Sequence, residues 1–150
     1  MLKFSGNLIV VPWDFSEMSV AALKHSLAMA GHRSKLRVVH VAQVNAGFES
    51  EYAAYAITEQ EIQNEIVKSF QQATTNHPEL AGIEMITLFG DTGTILTDYA
   101  DEIGADLIVI SSHGRTGLTR LLIGSVAERV VRLARVPVLV LKGHGKSPTK

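Results

Sequence analysis

Apolar positions along the chain fall into two alternating patterns. Five short runs rich in β-branched residues recur at Asn7–Val11, Leu36–Val41, Ile83–Phe89, Leu107–Ile110 and Val136–Leu141. Their apolarity is continuous rather than strictly alternating, which predicts strands buried on both faces. The longer stretches between them carry helical spacing. Val20, Leu23, Leu27 and Ala30 form one stripe, with Gly31 as its C-terminal stop. Ile62, Ile66, Phe70 and Ala73 form a second, opened by Thr58 and Glu61 at capping-box spacing and followed by Pro78. Ile95, Leu96, Tyr99, Ala100 and Ile103 make a third, closed by Gly104. Val126, Ala127, Val130, Val131 and Ala134 make a fourth, with Ser125 and Glu128 again at capping-box spacing. Five strands interleaved with four helices predict a single doubly wound α/β domain, its sheet parallel and its helices on both faces. The domain is assigned to residues 1–142. Residues 44–57 read as a loop before the second helix, and the Gly-, Pro- and Lys-bearing tail 143–150 as flexible.

Composition narrows this picture. A chain of 150 residues, 46% hydrophobic and 19% charged, suits one folded domain and excludes a disordered class. The absence of cysteine removes disulfides, thiol nucleophiles and Cys zinc sites. The longest apolar runs fall far short of the roughly 18 residues a bilayer span needs. The N-terminal run ends at Pro12 without the apolar core of a secretory signal. A cytoplasmic protein without membrane attachment is the expectation. A net charge of −1 argues against a general nucleic-acid binder.

In a doubly wound sheet, ligands sit beyond the carboxyl ends of the strands, where the strand order reverses. That rule selects Pro12-Trp13-Asp14-Phe15-Ser16 after strand one and His40-Val41-Ala42 after strand two. It also selects the loop Ser111-Ser112-His113-Gly114-Arg115-Thr116-Gly117 after strand four, leading to Gly124-Ser125. Glycines 114, 117 and 124 let backbone amides approach a ligand, and a helix start at Ser125 offers unpaired N–H donors suited to phosphate. Arg115 and Arg120 add positive charge. Several of these residues have a structural alternative. Ser125 reads either as a phosphate contact or as the cap paired with Glu128, and Asp14 either as a ribose acceptor or as a helix cap that Ser16 could equally supply. Trp13 reads as a packing residue before a ligand stack, and His113 as a loop residue before a proton donor.

Other chemistries find little support. Gly143-His144-Gly145-Lys146-Ser147 ends like a P-loop, but the first glycine would fall at Val140 and no helix can follow. No dinucleotide fingerprint follows strand one, no G-x-S-x-G elbow surrounds Ser125, and the histidines lack metal-ligand spacing. No catalytic residue and no metal site is assigned. The pattern supports binding over catalysis.

Val10-Val11-Pro12-Trp13-Asp14-Phe15-Ser16, Val39-His40-Val41, the segment Ser112–Leu118 and the segment Leu122–Glu128 together closely resemble the universal stress protein family. Val136-Pro137-Val138-Leu139-Val140 resembles that family's closing strand. The resemblance implies a five-stranded parallel sheet in the order 3-2-1-4-5. It also implies the ATP-binding signature G-x2-G-x9-G-[ST], here running Ser111-x2-Gly114-x9-Gly124-Ser125. By that resemblance, Asp14 and Val41 hold the adenine and ribose end of ATP, with Mg as its companion ion. Ser111 and Gly114 line the middle, and Gly124, Ser125 and Val126 meet the phosphates. Pro12, Trp13, Ile110, His113, Arg115 and Gly117 complete the expected set. Ser111 stands where the signature has glycine, so its Cβ obstructs or strains the site if φ must be positive there. Trp13 is bulkier than expected between Pro12 and Asp14 and would narrow the adenine pocket. The resemblance further implies a homodimer through the edge strand Val136–Leu141, consistent with an open apolar edge. The expected function is an adenine-nucleotide-binding stress protein whose occupancy regulates conformation or partner choice, with at most weak hydrolysis. The alternatives are a nucleotide-free interaction module, or a slow hydrolase using His113 as acid.

Charge adds a regional contrast. Residues 1–105 carry six Lys and Arg against thirteen Asp and Glu, a net −7, while residues 106–150 carry eight against two, a net +6. The positive region contains the glycine loop and the last helix, where a phosphate tail is expected.

Overall fold

The computed structural model describes residues 7–43, 57–113 and 123–143. In chain order the elements are β1 (Ile9–Pro12), α1 (Glu17–Ala30), β2 (Leu36–Ala42), α2 (Glu59–Ala73), β3 (Met85–Phe89), α3 (Thr92–Glu102), β4 (Leu107–Ser111), α4 (Ser125–Leu133) and β5 (Val138–Leu141). The sheet is parallel throughout, in the order β3-β2-β1-β4-β5. The chain winds outward through β1, β2 and β3, then crosses back to lay β4 on the other side of β1. The winding reverses between β1 and β4.

The continuous apolarity of the strands is explained by two cores, one on each face. Ile9, Val11, Val38, Met85 and Val109 point into a layer with Leu23 and Ala30 of α1 and Phe70 of α2. Val10, Val39, Val41, Ile108 and Ile110 point the opposite way, against Leu96 and Ala100 of α3 and Ala127 and Val130 of α4. Among the described residues no helix is long and apolar enough to cross a membrane.

The helix signals were uneven guides. Gly31 ends α1 in the left-handed region, φ +75, its N–H donating to the Leu27 carbonyl. Thr58 and Glu61 form the reciprocal box at the start of α2. The box expected at Ser125 and Glu128 does not form. Gly124, which has no side chain, is the N-cap of α4, and Glu128 instead pairs with Arg132. The cause is tertiary: the Gly124 N–H donates to the Ser112 carbonyl at 2.6 Å while its own carbonyl already accepts from Glu128, so the helix begins one residue early. Ala127, Val130 and Ala134 face the core, whereas Val126 and Val131 are exposed, which narrows the predicted fourth stripe. β5 starts at Val138 rather than Val136, and β3 at Met85 rather than Ile83.

Candidate functional site

A cleft of about 280 Å³ opens at the carboxyl ends of β1, β2 and β4, at the point where the winding reverses. Its first wall is the turn leaving β1. The Trp13 N–H extends the ladder by donating to the Val39 carbonyl at 2.8 Å, and the Trp13 carbonyl accepts from His40 Nδ1 at 2.7 Å. A carbonyl only accepts, so this nitrogen carries the proton. Asp14 follows with its amide donating to Ser19 Oγ at 3.0 Å. Its Oδ1 accepts from the Ser16 amide at 2.9 Å and from the Ser16 and Ser19 hydroxyls, each at 2.5 Å. Ser16 is the N-cap of α1, with its Oγ accepting from the Ser19 amide, so Asp14 stands one step behind the cap and organises it. Phe15 between them has φ +66, and it is the one non-glycine residue in the left-handed region among those described.

The opposite wall comes from β4 and α4. Ser111 ends β4 without a positive φ, so its Cβ brings no backbone strain, and its Oγ donates to the His113 carbonyl at 3.1 Å. Ser112 is buried; its amide donates to Leu141 and its carbonyl accepts from Gly124. A Cβ on Gly124 would lie 2.9 Å from that carbonyl oxygen, a distance real side chains do not tolerate, so position 124 requires glycine for space rather than for φ. Immediately beyond, Ser125, Val126 and Ala127 form the first turn of α4 and line the cleft.

A third contribution comes from α3. Thr92, its first residue, lines the cleft, while Asp91 caps the helix by accepting from the Thr94 amide and hydroxyl. The Arg129 side chain of α4 pairs with the same Asp91 oxygen at 2.9 Å and reaches Thr94, tying the two helices together beside the opening. Hydrogen bonds from Thr94, and then Arg129, hold the Asp91 carboxyl below its ordinary value of 3.8. The floor is apolar: Val39, Val41, Ile110 and Ala127 are the upper edge of the α3–α4 core. Asp14 is the one carboxylate among the described lining residues.

Nine of the residues singled out by sequence therefore meet at one cleft: Pro12, Trp13, Asp14, Val41, Ile110, Ser111, Gly124, Ser125 and Val126. Trp13 does so with its ring committed elsewhere. The indole packs edge-on against Phe70 and Phe15 in the α1–α2 core, on the face opposite the cleft floor. His113 is not a lining residue; its Nδ1 pairs with Ser112 Oγ at 2.8 Å. Gly114, Arg115, Gly117 and Arg120, with residues 44–56 and 144–150, lie outside the described residues. Ser19 and Thr92 line the cleft without having been singled out, and His40 and Ser112, selected as strand ends but given no site role, line it too. His40 and Ser112 sat within the quoted motifs, and their hydrogen-bonding capacity was the available signal. Thr92 had no local signal, because only the return of α3 to the sheet brings it there. Among the described residues no group of three or more His, Asp or Glu could hold a metal ion.

Comparison with known proteins adds an independent line. The sequence profile described as the Universal stress protein family matches residues 7–142. Universal stress protein MJ0531 of Methanocaldococcus jannaschii is 34% identical, the alignment covering 89% of this chain and 81% of that protein. Universal stress protein YxiE of Bacillus subtilis is 29% identical, with 91% of this chain and 99% of that protein covered. The solved structure of MJ0577, also from M. jannaschii, superimposes with a TM-score of 0.64 at 27% identity, covering 93% of this chain and 98% of that one.

Proposed function

Because this chain belongs to the universal stress protein family, we propose that its cleft binds an adenine nucleotide, ATP foremost, and that occupancy regulates conformation or partner choice during stress. One observation carries the reading. The helices α1, α2 and α3 are capped by the side chains of their N-cap residues Ser16, Thr58 and Asp91, whereas the N-cap of α4 is Gly124, which has no side chain to offer, and the first turn of α4 lines the cleft. The amides of a first helical turn lack intrahelical partners, and the helix dipole concentrates positive charge there. Phosphate oxygens satisfy both demands.

The remaining residues take roles that fit this placement. The floor of Val39, Val41 and Ile110 offers an apolar surface for the base, and Asp14 offers a carboxylate acceptor to ribose hydroxyls. Gly124, Ser125 and Val126 serve the phosphates, while Ser111 borders the middle of the site without strain. Gly114, Arg115, Gly117 and His113 are proposed to complete the phosphate end. A magnesium ion accompanying ATP would be held mainly by phosphate oxygens and water, since the described residues supply no ligand cluster of their own. Hydrolysis is expected to be weak. The Asp14 oxygen that accepts from Ser16 and Ser19 is occupied in shaping the turn, which suits binding more than proton abstraction.

Mass spectrometry of denatured, freshly purified protein, followed by ATP titration calorimetry, tests the reading. ATP or ADP is expected to co-purify, or ATP to bind with micromolar-range affinity. Absence of binding up to millimolar ATP overturns the proposal and leaves a nucleotide-free interaction module. Gly124→Val places a Cβ against the Ser112 carbonyl and displaces the first turn of α4, so it is expected to abolish binding while the chain stays folded. Retained binding in that variant would mean the phosphates sit elsewhere.

A further inference from the structure

The turn that presents Asp14 is strained, and the strain is held in place from the neighbouring strand. Phe15, immediately after Asp14, has φ +66, a left-handed conformation that a side-chain-bearing residue adopts only at a cost. Such a conformation persists only where surrounding bonds over-determine it. Two sets of bonds do so here. Downstream, Asp14 gathers the Ser16 and Ser19 groups. Upstream, the Trp13 carbonyl lies one residue past the end of β1, and His40 Nδ1 of β2 supplies its donor at 2.7 Å. The same imidazole meets the Phe15 ring edge-on, with centroids 5.3 Å apart. His40 therefore touches both residues that flank Asp14, through a hydrogen bond on one side and a ring contact on the other.

We infer that His40 is a positioning residue for the cleft. By fixing the Trp13–Asp14 peptide plane and bracing the left-handed Phe15, it sets where the Asp14 carboxylate stands, and ligand affinity depends on its Nδ1 donor through Asp14. The inference rests on the nucleotide reading above and deepens it. It assigns a role to a histidine that metal spacing and acid–base chemistry left unused.

The test is calorimetric titration of ATP into wild type, His40→Leu, His40→Asn and their combinations with Asp14→Asn, with thermal melts on each. His40→Leu removes the donor at similar bulk and is expected to weaken ATP binding about tenfold, the scale of one lost hydrogen bond at a fixed site. His40→Asn returns an N–H near the Nδ1 position and is expected to recover affinity to within about threefold of wild type. In the Asp14→Asn background, His40→Leu is expected to cost nothing further, because its effect passes through the carboxylate. A purely structural role for His40 predicts a lower melting temperature, additive losses in the double variant and no rescue by asparagine; that result overturns the inference, as does wild-type affinity in His40→Leu. Should the leucine variant fail to melt cooperatively, His40→Gln takes its place, since its longer side chain carries the donor past the Trp13 carbonyl. Failure of wild type to bind ATP would overturn the nucleotide reading itself and this inference with it, whereas unchanged affinity in a nucleotide-binding wild type overturns this inference alone.

Discussion

At the scale of single residues, two buried side-chain polar atoms among the described residues, Trp13 Nε1 and Thr87 Oγ1, stand without a hydrogen-bond partner. Thr87 sits opposite His40 in the β2–β3 register, and alternation from Met85 turns its side chain toward the α1–α2 layer. Burying a hydroxyl without a partner costs about 1–3 kcal/mol, while valine has the same branched shape and no such demand. Thr87→Val is therefore expected to stabilise the protein by about 1 kcal/mol, raising the melting temperature by about 3 °C for a chain of this size. Scanning calorimetry checks it, and an unchanged or lowered midpoint would show that the hydroxyl is satisfied after all. Trp13 shows what residue-level reading of the sequence achieves. Its bulk was visible, but the face to which the indole turns depends on strand alternation carried one residue beyond β1, which composition does not reveal.

At the scale of elements, legibility followed the locality of the determining bond. The caps of α2 and the glycine stop of α1 involve residues three or four apart, and they were readable from spacing alone. The start of α4 was misplaced, because a hydrogen bond from Gly124 to Ser112 outweighs the local capping box, and nothing within four residues of Ser125 announces it. The α3–α4 clamp was equally hidden, since Arg129 and Asp91 are 38 positions apart. That clamp yields a pH prediction. Thr94 and then Arg129 lower the Asp91 carboxyl below 3.8, and the Thr58 amide lowers Glu61 below 4.5. Depressed folded-state values mean that the unfolded chain binds more protons, so stability rises with pH through this window. The contribution is present above the ordinary values and is lost as the pH falls through the lowered ones. Melting temperatures recorded from about pH 7 to about pH 3 should therefore fall on the acid side. Asp91→Asn, which keeps the cap but not the charge, should flatten part of that acid limb; a limb as steep as wild type would remove Asp91 from its cause.

At the scale of the whole molecule, the fold class was legible because five apolar runs alternating with four amphipathic stretches point to a parallel, doubly wound sheet, whereas the strand order came only from the resemblance to the universal stress protein family. That order sets β5 at an edge, and the structure defines which of its groups face outward. The Pro137 carbonyl accepts from Ile108 and the Leu141 carbonyl accepts from Ser112, so the odd-numbered residues turn their backbone groups toward β4. Alternation then directs the backbone groups of Val138 and Val140 away from the sheet. The edge remains open among the described residues, and Val138–Leu141 is only partly buried. A second copy pairing antiparallel across a two-fold axis would satisfy these groups and bury the strand. We propose that assembly as the homodimer. Val140→Pro removes one outward N–H and leaves the bonds to β4 intact, a substitution that an edge strand tolerates. Light scattering is expected to report a dimer for wild type and a monomer for Val140→Pro, with the circular dichroism unchanged. Leu139→Pro, by contrast, removes an N–H on the β4 side and is expected to lower the melting temperature as well. A Val140→Pro variant that remains dimeric, or a wild type that runs as a monomer, would place any interface elsewhere on the molecule.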